Sequence, residues 1–150
     1  MNPSTFCLVS AGGFFLVGLL SGAWKYLCIR ASDDARAPLY VDLAHRAALL
    51  YAFAGVLLSR LCERNAWSNP VNLGACIVLQ VFFAISVVGY VVHGALRDTD
   101  NQFRRPHRLG TRVLSASSMT TFMMALIAAE VSAFVVVFTG YILEAAKPGF

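Results

Sequence analysis

The sequence predicts an all-α integral membrane four-helix bundle. Three observations carry that prediction: 58% of the 150 residues are hydrophobic, only 13% are charged, and the apolar residues fall in four long blocks. A soluble domain carries roughly a quarter charged residues. This chain therefore lacks the polar groups needed to coat a water-facing surface. A spanning helix needs ~20 mainly apolar residues, and every block is longer than that. Strands of a membrane barrel would be much shorter and would alternate strictly. Helices also pair their backbone polar groups internally, as hydrocarbon demands.

The first block runs over 6–29. No basic segment precedes it, so it reads as a retained helix rather than a cleaved signal peptide. The polar, turn-rich stretch from Ala31 to Arg36 ends it. The second block covers 38–62 and closes at Glu63 to Pro70, where Pro70 suits a helix start and Trp67 an interfacial depth. The third block covers 71–96. The longest break, 97–112, holds Arg97, Arg104, Arg105, Arg108 and Arg112 with Pro106 and Gly110. The fourth block covers 113–143. With no internal repeat, residues 1–150 form one transmembrane domain.

Four crossings place the loops 30–37 and 97–112 on one side, with seven arginines, against Arg60, Arg64 and Lys147 on the other. The positive-inside rule puts those loops in the cytoplasm and both termini outside, as in a bacterial inner membrane. The net charge of +4 is thereby a matter of topology, and no nucleic-acid partner is expected. The four cysteines, Cys7, Cys28, Cys62 and Cys76, show no metal-ligand spacing. They read as buried free thiols, with a Cys7–Cys62 disulfide as the less favoured alternative.

Ionisable groups inside a membrane are costly, so each one needs a reason. Lys25 can snorkel to the cytoplasmic interface, and Gly18 and Gly22 before it allow a close helix approach. Asp42 and Arg46 form an i,i+4 pair. That pairing leaves His45 without an explanation, either as a packing residue or as a ligand for a metal or heme iron. Ser86, Tyr90, His93 and Arg97 share one face of the third helix, at a depth similar to His45. They are either an interhelical polar stripe or part of a site. Glu130, among small residues in the middle of the fourth helix, should face the bundle interior. Soluble-enzyme motifs are absent. Any chemistry is expected between the second and third helices, in the cytoplasmic half, with the fourth helix as the far wall.

The run Gly12 to Gly22, the pair Ala44-His45, Tyr90 and the tripeptide Asn101-Gln102-Phe103 resemble segments of the small four-helix membrane isomerases, the styrene oxide isomerase and hydroxylaminobenzene mutase family. Tyr51 stands where the isomerase has an asparagine, and Val78 to Ala84 replaces its polar run apart from Gln80. The resemblance implies a homo-oligomer, with a trimer favoured, holding heme b. It implies His45 as the axial metal ligand and Tyr90 as a residue that positions a small hydrophobic substrate. Ferric iron would act as Lewis acid in an epoxide-to-carbonyl rearrangement. The helical stripe, not the resemblance, adds His93 as a helper, and burial adds Glu130 as a catalytic candidate.

Two other classes compete. One is a trimeric glutathione-dependent membrane enzyme, suggested by Arg46 but lacking the expected Glu and Asn around it. The other is a non-enzymatic tetraspan subunit, chaperone or small transporter whose polar residues only join helices.

Overall fold

A computed structural model describes residues 1–148, and four long helices dominate them. Helix α1, Pro3–Arg30, starts where Pro3 supplies a helical φ and the Asn2 side chain accepts the Ser4 amide at 2.9 Å. Helix α2 spans Leu39–Glu63 and follows Pro38. Helix α3, Asn69–Leu96, is ended by Arg97, whose backbone turns left-handed at φ 50°. Helix α4 spans Ala116–Ala145, and the Ser115 hydroxyl caps it by accepting the Ser118 amide at 3.0 Å. Each helix is long and apolar enough to cross a membrane. Their outward faces suit hydrocarbon: Phe53 is 70% exposed and Leu20 63%.

The start of the fourth helix differs from the sequence expectation. Val113 and Leu114 are not helical. They belong to strand β2, Arg112–Leu114, which pairs antiparallel with β1, His107–Leu109. Gly110, at φ +60°, makes the reversal. The apolar Val113 and Leu114 extend the fourth block by composition, but pairing across a tight turn claims their backbone first. Ser115 is then the nearest residue able to cap a helix.

Helices α1 and α2 form the tightest pair. A methyl group on Gly18 would overlap the Leu49 side chain, and one on Gly55 would meet Ala11 Cβ at 2.9 Å. Small residues thus let the two backbones approach. Lys25 joins the same pair by bonding Asp42 at 2.5 Å, so it is an interhelical partner and not merely a snorkelling anchor. Arg46 sits 3.5 Å from the other carboxylate oxygen.

Helix α4 is attached differently. It packs on α3, buries only Ala133, Val137 and Gly140, and is pinned near the chain termini. Asn65 donates to Val137 O at 2.9 Å, Trp67 Nε1 to Val136 O at 2.8 Å, and the Ala66 amide to Gly140 O at 3.0 Å. The apolar core around Leu58, Leu79 and Val137 lies at that same end. Among the described residues no such pins hold α4 toward the arginine-bearing loops, and a cavity opens there beside α3.

Candidate functional site

The cavity has a volume of about 320 Å³. Ser86, Tyr90 and His93 of α3 form one wall, and Tyr51 of α2 projects into it. Met119, Phe122, Met123 and Leu126 of α4 face them, and Leu109 and Leu114 of the hairpin close the loop end with Gln102 and Phe103. The 4-3 spacing of Ser86, Tyr90 and His93 places all three on one helix face. Arg97 does not line the cavity, because its left-handed backbone ends the helix; it borders one depression with Ala31 and Asp34 and another with Tyr40 and His93.

His93 is the most constrained of these groups. Its side chain is 8% exposed, and Nδ1 lies 2.8 Å from Asp98 Oδ1, whose side chain is 6% exposed. The second carboxylate oxygen of Asp98 accepts the Gly110 amide at 2.5 Å. Burial alone would raise the Asp98 carboxyl, but the Gly110 amide and then His93 outweigh it and hold the group below the usual carboxylate range. An ionised Asp98 accepts from Nδ1–H, which fixes the tautomer and leaves Nε2 as the nitrogen available to a molecule in the cavity. Tyr40 packs against the dyad, its ring centroid 5.0 Å from that of His93 and 6.0 Å from that of Tyr90. Its hydroxyl accepts the Gln102 amide at 2.5 Å and so ties the loop to α2. His107, 7% exposed, completes the tie through Gln102 O at 3.0 Å.

Tyr51 is held by Phe83, stacked at 4.2 Å between centroids, and its phenol faces the Ser86 hydroxyl. Glu130 does not line the cavity. It lies one helical turn beyond Leu126. Its Oε1 is buried and has no hydrogen-bond partner.

His45 lies elsewhere. It faces α1, where its Nδ1 bonds Gly18 O at 2.8 Å. Gly22 makes room for the ring: a methyl group there would meet His45 Cε1 at 2.8 Å. The similar depth expected of His45, Tyr90 and His93 therefore does not bring them together: His45 faces α1, whereas Tyr90 and His93 line the cavity beside α4. Six residues separate His45 from Tyr51, which turns their side chains about 120° apart around α2 at ~3.6 residues per turn. Helix α2 lends the cavity Tyr51, and it turns His45 to the opposite seam.

The fit of heme iron to this chain rests on His45 alone. A backbone carbonyl bonded to Nδ1 leaves Nε2 unprotonated, the form that ligates iron, and such a partner orients the ring. Among the described residues, no group of three or more His, Cys, Asp and Glu could hold a metal ion.

Sequence reading missed Asp98, Tyr40 and His107. Asp98 lies one residue after the end of the helical stripe, beyond the left-handed Arg97, and helical spacing gives no signal for it there. Comparison with protein-family models, with curated proteins and with solved structures finds no match to this chain.

Proposed function

We propose that this protein is a membrane-embedded isomerase or mutase that rearranges a small hydrophobic substrate in the cavity between α3 and α4. One observation carries the reading. A mainly apolar cavity of about 320 Å³ places Tyr90 beside a histidine whose tautomer is set by a buried carboxylate. Such a dyad is suited to moving a proton between two atoms of one bound molecule.

For an epoxide, the Tyr90 phenol donates a hydrogen bond to the ring oxygen as the C–O bond breaks. His93 Nε2 takes the proton from the adjacent carbon, the proton returns to the product, and an enol relaxes to a carbonyl with no net redox change. Apolar walls keep water from the electron-poor carbon. Asp98 touches no substrate and acts by holding His93.

Heme b at His45 is a separate part of the proposal. When bound, it supplies Lewis acidity toward a substrate oxygen. His45 would hold the iron and Gly18 would orient the imidazole. Within one chain that site and the cavity lie on different faces of α2, so no step in the cavity is routed through it. A homo-oligomer in a bacterial inner membrane, with both termini outside, completes the reading. The arginine distribution supports that orientation.

The test incubates detergent-purified protein with aryl epoxides and arylhydroxylamines and follows isomer formation by NMR. Turnover that falls at least about 100-fold in His93→Ala and Tyr90→Phe supports the reading. No isomer from wild-type protein across the panel overturns it. A Soret band lost in His45→Ala tests the heme part, and colourless, iron-free protein sinks that part alone.

A further inference from the structure

A second cluster of reactive side chains lies at the end of the bundle that carries the chain termini. Cys7 of α1, Cys62 of α2 and Cys76 of α3 converge there, 0%, 8% and 0% exposed. All are free thiols. The sulfurs of Cys62 and Cys76 are 3.5 Å apart, and the Cys7 thiol faces both. A buried thiol serves well as a small apolar group, but that role gives no reason for three of the chain's four cysteines to meet from three different helices. Gln80, one turn after Cys76 and 5% exposed, adds an independent observation. Its amide nitrogen and oxygen are both buried without a hydrogen-bond partner, and it lies beside Cys7. The Cys7 sulfur is thus the polarisable group beside this amide, and a thiolate there would be a much better acceptor than a thiol.

We propose that Cys62 and Cys76 are a redox-active dithiol that is oxidised to a disulfide joining α2 to α3, with Cys7 as a third thiol able to exchange into that bond. The geometry is close to what the bond needs. A disulfide spans ~2.05 Å, so each sulfur must move only about 0.7 Å. The short link between Glu63 and Asn69 keeps the two helix ends together.

The chemistry balances with a protein or small-molecule disulfide as oxidant. Cys62, the least buried of the three residues, gives up its proton to solvent and attacks one sulfur of the oxidant, whose other sulfur leaves as a thiolate. Cys76 then attacks the Cys62 sulfur and expels the second sulfur of the oxidant, which takes up the Cys76 proton and leaves as a thiol. Two thiols have been oxidised and one disulfide reduced to two thiols. Gln80 Nε2 can donate to Cys7 when that sulfur carries charge during exchange. The arginine distribution assigns this end to the outside, where such bonds persist.

The test treats purified protein with diamide, a diazene that accepts two electrons and two protons, or with dithiothreitol. The protein is then denatured, alkylated with N-ethylmaleimide and analysed by intact and peptide mass spectrometry. Reduced protein should carry four adducts. Oxidised protein should carry two, with Cys28 alkylated and the peptides holding Cys62 and Cys76 joined. Cys62→Ser should redirect the bond to Cys7 and Cys76, and Gln80→Leu should slow Cys7–Cys76 formation in that background several-fold. Four adducts after diamide, at an excess that fully oxidises dithiothreitol in the same detergent, overturn the proposal. So does loss of adducts that maps to Cys28 in cross-linked dimers.

Discussion

Asp98→Asn separates the role of the buried carboxylate from its shape. In the native chain Asp98 bonds His93 Nδ1 at 2.8 Å and the Gly110 amide at 2.5 Å, and its side chain is 6% exposed. Hydrogen bonds to a charged group contribute about 1.5–3 kcal/mol each, and a neutral partner retains about half of that. Two such bonds halved give a loss of about 1.5–3 kcal/mol. That figure is an upper bound, because the amide also escapes the cost of burying a charge. The effect on chemistry is larger. Asparagine can still accept from Gly110, but it then turns an N–H toward His93 Nδ1. The imidazole must accept at Nδ1 and carry its proton on Nε2, so it ceases to be a base toward the cavity. Turnover should fall by at least about 100-fold, within the range of general acid–base contributions.

The pH dependence has a definite sign. The Gly110 amide and His93 hold the Asp98 carboxyl below its ordinary range despite burial. Folded protein therefore binds this proton less readily than unfolded chain. The contribution is fully present above the unfolded value of ~3.9 and is lost as pH falls through the lower folded value. Thermal unfolding in detergent between pH 6 and pH 3 should show a steeper acid loss for native protein than for Asp98→Asn. Nitrogen-15 NMR of the imidazole should report Nδ1–H in the native chain and Nε2–H in the variant. Unchanged turnover together with an unchanged tautomer would refute the dyad.

Other perturbations follow from single contacts. Gly22→Ala places a methyl group 2.8 Å from His45 Cε1 and 3.0 Å from Nδ1. It should cost about 1–3 kcal/mol in thermal unfolding and displace the imidazole from Gly18 O, whereas Gly12→Ala, with no heavy atom within 4 Å, should be neutral. Trp67→Phe removes the indole donor to Val136 O, held at 2.8 Å. It should cost about 1 kcal/mol and speed amide exchange in the last three turns of α4 while leaving α1 protected. Lys25→Met deletes the 2.5 Å bond to Asp42, yet Arg46 remains within 3.5 Å of that carboxylate. The expected loss is below about 1 kcal/mol, read from the same melting experiment, because both partners are partly exposed.

Much of the site was visible along the chain. Ser86, Tyr90 and His93 are 4 and 3 residues apart, so a single helix sets them on one wall whatever surrounds it. Two positions were not readable. Asp98 lies beyond a left-handed residue, and no periodicity tells where a loop side chain folds back. His45 sits on a helix with apolar residues on several faces, so its rotation toward α1 could not be read from composition. The room left by Gly22 admits the imidazole, which there reaches the Gly18 carbonyl on the other helix.

The sequence by itself determined the quantities that depend on neighbours along the chain. These are four apolar blocks of spanning length, the breaks between them and the uneven arginines. Hydrophobic length is set over one stretch of chain, so local composition suffices. Only the tertiary structure decided which polar groups meet. It pinned α4 at one end through Asn65, Ala66 and Trp67, and so left a cavity at the other. It folded Asp98 onto His93 and gathered thiols from three helices. In a bilayer every helix is apolar on nearly all sides, so hydrophobicity does not choose which faces pack together. Small residues, buried hydrogen bonds and a few ion pairs make that choice, and their partners lie far apart in sequence.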